Sequence, residues 1–284
     1  MKNRVRIILR KIILLFLIFY FCGCLSNRNT TGDGSSRMAS SSIFDLTQPQ
    51  IIAHRGFWNI EGSVENSIRS LQAAADLGVY GSEFDVHLTA DDIPVVYHDN
   101  IIKGTNINIQ QVSYNAIKDV VLSNGERLPT LDDYLEAGKK LSIRLILEIK
   151  THATPERNRK AAQIVADRVK YFDLENRVEY TTFSIEIGKE LIRLKPDNSV
   201  WYVSGDLTPA ELKEYGFSTL CYNFGIFESH PEYLIEAKEL GLNRAVWTVN
   251  DLSLMERLIE QGVTFFTTDI PLQAKEYLEQ IVFQ

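Results

Sequence analysis

Apolar positions along the chain alternate between two spacings. Short runs rich in β-branched residues fall at 51–54, 81–86, 94–98, 143–149, 178–183, 200–203, 219–222, 245–249 and 264–267. Stretches in which apolar residues recur every three or four positions lie between most of them, at 64–77, 131–139, 155–172, 185–194, 209–215, 231–240, 251–261 and 271–281. A period of two belongs to strands and a period near 3.6 to helices. Strands that alternate with helices predict a parallel sheet, and about eight such repeats predict an α/β fold of the (β/α)8 TIM-barrel type. One strand is left over, because nine candidates compete for eight places. Runs 81–86 and 94–98 lie only seven residues apart. That is too few for a crossover helix, so one of the two is expected to be an extension or a hairpin arm. Segment 100–128 is polar and fits the repeat poorly. It is predicted to be a small insertion after the strand that carries His98, beside the barrel mouth.

The N-terminal region follows another pattern. Five cations (Lys2, Arg4, Arg6, Arg10 and Lys11) lead into an apolar run at 12–21. The run is shorter than the ~20 residues that span a bilayer, but it suits a signal peptide. The stretch Phe21-Cys22-Gly23-Cys24 resembles a bacterial lipoprotein box, with Phe21 where Leu is usual. That resemblance implies that residues 1–23 are removed and Cys24 is acylated. The mature protein would then be lipid-anchored to a bacterial membrane in the cell envelope, facing the periplasm or the surface. Residues 24–45 are rich in Ser, Asn, Thr and Gly and are expected to form a flexible tether to a domain at 46–284. With Cys22 removed and Cys24 acylated, Cys221 stands alone. No intramolecular disulfide is expected, and its apolar neighbours predict a buried thiol. The net charge is −7, to which the leader contributes +5, so the body carries −12. A body this acidic argues against nucleic acid as a partner, and any phosphate must be met at a local cationic or metal site.

Barrel active sites form at the C-terminal ends of the strands, and four such ends carry polar residues. His54-Arg55-Gly56 follows the first apolar run and offers a group that titrates near neutrality beside a planar phosphate-binding fork. Glu83 and Asp85 are two apart, so they share a face of their strand. Two adjacent carboxylates repel unless a cation lies between them or one is protonated, and oxygen ligands favour a hard ion such as Mg2+ or Ca2+. His98-Asp99 ends the third run, and Glu148-Ile149-Lys150 ends the fourth. Each has an ordinary reading as a solvated strand end, an acidic edge strand or a local ion pair. His152 and His230 are expected to be solvated loop residues. His87 shares a face with Asp85 and is a candidate to support the site from behind.

Taken together, the four resemble the signature of the glycerophosphodiester phosphodiesterase family. Glu65-Asn66, Leu128-Pro129-Thr130-Leu131, Trp247-Thr248-Val249-Asn250 and Thr268-Asp269-Ile270-Pro271 match further motifs, so the resemblance runs from about Ile51 to Pro271. It departs after His98-Asp99, where Gly104 falls at the place of an expected Arg. The resemblance implies hydrolysis of a small-molecule glycerophosphodiester to glycerol 3-phosphate and an alcohol. It assigns one divalent cation, Mg2+ or Ca2+, to Glu83, Asp85 and Glu148, and acid–base catalysis to His54 and His98. Which histidine is the base first stays open. Arg55 and Lys150 are expected to clamp the phosphate, with Glu65, Phe183 and Trp247 also at the substrate. Two alternatives remain: phospholipase-type action on intact or lyso-phospholipids, and a lipoprotein that binds phosphodiesters without turning them over.

Overall fold

The computed structural model describes residues 48–282. The leader, Cys24 and the expected tether lie outside the described residues. One sheet holds β1 (Gln50–Ala53), β2 (Gly81–Leu88), β3 (Pro94–Val96), β4 (Arg144–Ile149), β5 (Val178–Thr182), β6 (Val200–Tyr202), β7 (Thr219–Asn223), β8 (Asn243–Trp247) and β9 (Phe265–Thr268). Its order is β1-β9-β8-β7-β6-β5-β4-β2-β3, and β1 also pairs with β2 in parallel. Eight parallel strands therefore close a (β/α)8 barrel. The surplus strand is β3, which runs antiparallel to β2 with Val96 opposite Val86. It is the hairpin arm that the short connection required.

Helices α1 (Ile68–Leu77), α2 (Leu131–Lys139), α3 (Pro155–Tyr171), α4 (Ile185–Leu194), α5 (Pro209–Tyr215), α6 (Phe224–Ser229), α7 (Glu232–Glu239), α8 (Leu252–Glu260) and α9 (Pro271–Val282) accompany the ring. Local chemistry fixes several starts. Thr130 and Thr208 each form a capping box, with Asp133 and Glu211 respectively, satisfying backbone donors that the first turn leaves free. Helix α1 begins four residues later than the periodicity predicts. Asn66 adopts a left-handed φ of 59°, which ends any helix, and the Ser67 side chain then accepts the Ser70 N–H as the cap.

The main core lies between the ring and its helices, and a second cluster of Ile52, Tyr80, Ile146, Trp201, Val203, Cys221, Ala245 and Phe265 lies apart from it. Below this second cluster, Glu179 on β5 takes a hydrogen bond from the Tyr80 hydroxyl and pairs with Arg144 at 3.0 Å. The insertion is less polar than its sequence suggests. Ile102, Ile109, Ile117 and Leu128 form a small core of their own with Val95, around two short 3-10 turns at Ile109–Gln111 and Tyr114–Ala116.

Candidate active site

The strand ends converge on a cavity of about 140 Å³. His54, Arg55, Glu83, Asp85, His98, Glu148, Lys150, Phe183 and Trp247 all line it. Glu65 does not. It lines a second, larger groove and holds the Arg55 guanidinium at 2.7 Å, so its contact is with the phosphate-clamp candidate.

The turn after β1 is built for close approach. Arg55 has φ 56° and Gly56 φ 81°, and a Cβ at Gly56 would come within 2.3 Å of Ser70 Oγ. Only glycine permits that contact at positive φ. The turn aims the Arg55 N–H at Glu83 Oε2, 2.8 Å away, while the side chain comes within 4.0 Å of Asp85.

Glu83 and Asp85 lie on the same face of β2, and Asp85 stands in register with Glu148 on β4. Oxygen atoms of the three carboxylates all lie within 4.8 Å of one another. Burial, then the charges of Asp85 and Glu148, push Glu83 well above the ordinary carboxylate range. Burial also raises Glu148, against the pull of Lys150. Burial pushes Asp85 the same way, but Lys150, His98 and Asn66 outweigh it and hold Asp85 down. Lys150 Nζ lies 3.0 Å from Asp85 and 2.8 Å from Glu148, and those charges overcome its burial to raise its pKa. Asn66, which sequence reasoning passed over in favour of its neighbour Glu65, grips Asp85 twice. Its amide donates to Asp85 Oδ2 at 2.9 Å and its carbonyl accepts the Asp85 N–H at 3.0 Å.

The acidic cluster fits a divalent cation. Three carboxylates converge with only Lys150 paired to two of them, Asp85 and Glu148, and burial together with the neighbouring negative charges raises Glu83 and Glu148, a crowding that a bound cation would relieve. An all-oxygen donor set of this kind suits Mg2+ or Ca2+.

Each histidine candidate is oriented by a carboxylate. His54 Nδ1 donates to Asp269 Oδ1 at 2.8 Å, which leaves Nε2 for proton exchange. Asp269 was quoted in the sequence only as part of a closing motif, and no spacing rule links it to a residue 215 positions earlier. Burial raises Asp269, but hydrogen bonds from His54, Asn250 and Trp58 prevail and hold it at about 2. His98 Nδ1 lies 2.7 Å from Asp99. Burial lowers the His98 pKa, with Asp85 pulling it up and Lys150 and Arg55 pressing it down. Behind it, buried His87 donates from Nε2 to the His98 carbonyl at 3.1 Å and accepts from Gln110 at 3.0 Å. Burial depresses His87 to about 4, so this support is neutral.

Phe183 and Trp247 meet edge to face, with ring centroids 5.6 Å apart, and wall the cavity. Cys221 is buried, as expected, and sits in the cavity lining with its thiol pushed up by burial. His152 corrects the sequence expectation: only 6% exposed, it accepts the Leu88 N–H at 3.0 Å through Nε2. His230 is exposed, as expected, beside Glu232.

A closed barrel that gathers two histidines, three carboxylates, an arginine and a lysine at its strand ends has the form of an enzyme site suited to an anionic substrate. Residues 54–273 match the model of the glycerophosphoryl diester phosphodiesterase family, and the chain belongs to that family. A glycerophosphodiester phosphodiesterase of Caldanaerobacter subterraneus is 28% identical over 235 residues, covering 78% of this chain and 94% of that protein. The crystal structure of a glycerophosphodiester phosphodiesterase from Parabacteroides distasonis is 50% identical, with a TM-score of 0.81 over 83% of this chain and 99% of that one. An Oleispira antarctica phosphodiesterase solved with its product sn-glycerol-3-phosphate shares the fold at 23% identity, with a TM-score of 0.71 over 82% of this chain and 97% of that one.

Proposed function

We propose that the chain hydrolyses glycerophosphodiesters to glycerol 3-phosphate and an alcohol, using one divalent cation held by Glu83, Asp85 and Glu148. The observation that carries this reading is the meeting of both histidines, all three carboxylates, Arg55 and Lys150 around one small cavity. The bound cation would supply charge to offset the phosphate and would lower the pKa of a neighbouring glycerol hydroxyl. Arg55 and Lys150 bind non-bridging oxygens. His54 Nε2, with Nδ1 fixed on Asp269, takes the proton of the glycerol 2-hydroxyl as that oxygen attacks phosphorus. His98 protonates the leaving oxygen as its bond to phosphorus breaks. Water then opens the resulting cyclic phosphate with the two roles exchanged. His98 and Arg55 also line the adjoining groove, which favours His98 as the group on the leaving-alcohol side. A 140 Å³ cavity offers little room for an acyl chain on the glycerol, which favours free diesters over lyso-phospholipids.

We also propose that Cys24 carries a lipid that anchors the enzyme to a bacterial membrane. The support is the order of charge, apolar run and Gly-Cys in the leader.

The test of the reaction is release of glycerol 3-phosphate from a glycerophosphodiester, assayed with and without a chelator. Undiminished release after exhaustive chelation would sink the cation reading. Rapid turnover of a substrate lacking the 2-hydroxyl would sink the cyclic route.

A further inference from the structure

The insertion reaches toward the site through one side chain. Gln110 lies in the 3-10 turn Ile109–Gln111. Two contacts seat that turn: the Asn108 side chain accepts the Gln110 N–H at 3.0 Å, and the Ile109 N–H donates to the Asn100 carbonyl at 2.9 Å. Ile109, fully buried, plugs the turn into the small core of the insertion. The Gln110 amide nitrogen then makes two contacts outside the insertion, to the Thr151 carbonyl and to His87 Nδ1, each at 3.0 Å.

These contacts fix each proton on the way to His98. A backbone carbonyl only accepts, so the end of the amide turned to Thr151 must be the nitrogen; the oxygen there would face another acceptor. Its second N–H points at His87 Nδ1, which must therefore be the bare nitrogen of the ring. The ring proton lies on Nε2 and is donated to the His98 carbonyl at 3.1 Å. That bond falls where the sheet gives out. Strand β3 ends at Val96, the Tyr97 N–H still reaches the Asp85 carbonyl at 3.0 Å, and at His98 the buried His87 ring takes over as partner of the main chain. Thr151 directly follows Lys150, so one amide braces the backbone beside two site residues.

From this geometry we propose that Gln110 is a positioning residue for the reaction. By fixing the proton and the orientation of the His87 ring, it holds His98 where its own ring hands a proton to the departing alcohol. The proposal rests on the role given above to His98, whose proton goes to the oxygen leaving phosphorus as the glycerol oxygen bonds to it. Without the amide, His87 Nδ1 is buried and unpaired, a costly state, and a turn of the ring to relieve it breaks the bond to His98. Misplacing a catalytic group by ~1 Å costs up to about 10²-fold, so a loss of about 10–100-fold is expected.

The test compares two sn-glycerol 3-phosphodiesters that differ in their need for that proton. Choline is a poor leaving group unless its oxygen is protonated, whereas p-nitrophenolate departs as a stable anion. The kcat/KM for release of each reports the step in which it leaves. Gln110→Ala and Gln110→Met should each lower the choline-to-p-nitrophenyl ratio of kcat/KM by about 10–100-fold. His98→Ala should lower the same ratio by more. In a His87→Gln background, where an amide can donate to the His98 carbonyl with no tautomer to set, Gln110→Ala should move the ratio by less than about threefold, because the two residues act in series. Only ratios within one preparation are compared, so unfolded protein cancels. An equal loss on both diesters in the Gln110 variants while His98→Ala shifts the ratio, or an undiminished shift in the His87→Gln background, would overturn the positioning role and leave the reaction standing. A ratio unmoved by His98→Ala would overturn the role of His98, and the inference with it.

Discussion

Replacing Asn66 with alanine removes two contacts to Asp85, at 2.9 and 3.0 Å, from a residue that is 2% exposed. A hydrogen bond to a charged group contributes about 1.5–3 kcal/mol, and a buried N–H left unpaired costs about 1–3 kcal/mol. Alanine at the left-handed φ of 59° adds about 1 kcal/mol, a penalty that glycine escapes. These effects overlap, so the expected loss is about 3–5 kcal/mol for Asn66→Ala and about 1 kcal/mol less for Asn66→Gly. Against a total stability of ~5–15 kcal/mol, the alanine loss is a large share and the glycine loss a smaller one, and the difference between the two variants is the readout. Urea denaturation measures the loss directly. Asp85 is also freed to turn, so turnover should fall by about 10–100-fold, as it does when the partner of a metal-ligating carboxylate is removed. Asn66→Ala within 1 kcal/mol of the parent, or alanine no worse than glycine, would refute the reasoning.

Glu83→Gln should abolish turnover yet raise the melting temperature of the cation-free protein at pH 8. The burial of its charge, and then the like-charge crowding by Asp85 and Glu148, raise Glu83 and destabilise the fold above the ordinary carboxylate pKa, and glutamine removes both; an unchanged or lower Tm would contradict this. His54→Ala and His98→Ala should each lower kcat by ~10²–10⁴-fold, read in steady-state assays on folded protein. His152 is held at about 4 by burial, with help from Arg157, against an ordinary 6.5. The unfolded chain therefore takes up this proton first, so its contribution is complete above pH 6.5 and is lost toward pH 4, by at most about 3 kcal/mol. Urea midpoints at pH 7.5 and 4.5 should show a smaller gap in His152→Gln. Cys24→Ser should release the protein from membranes or block its processing, read by detergent partitioning with labelled palmitate.

Strand-end chemistry was legible because it is local. A spacing of two puts Glu83 with Asp85, and Glu148 with Lys150, on one face whatever the rest of the chain does. His54 and His98 showed themselves as polar residues closing apolar runs. What stayed hidden depends on distant partners. The pairing of His54 with Asp269 is made by ring closure across 215 positions, and the status of β3 as an antiparallel arm depends on which neighbour it meets. His152 looks like a loop residue until the N–H of Leu88 is brought to it. The insertion concealed its core because Ile102, Ile109, Ile117 and Leu128 are seven or more residues apart and belong to no common helix or strand, so only the folded chain brings them together. Helix α6, six residues long, is too short for a periodicity to register.

The bond between His54 and Asp269 has a consequence for how the enzyme comes into being. Its two halves follow the first and the last strands of the ring, and they meet only when β9 has docked beside β1. A chain still emerging from the ribosome holds Glu83, Asp85, Glu148 and both site histidines long before it holds Asp269. Its first histidine has no orienting partner until the last strand arrives. On the proposed mechanism, hydrolytic competence is thereby tied to the docking of β9, and a fragment truncated before β9 is expected to be inactive. The onset of turnover should then report ring closure, measurable in a refolding experiment as the delay between recovery of secondary structure and first product.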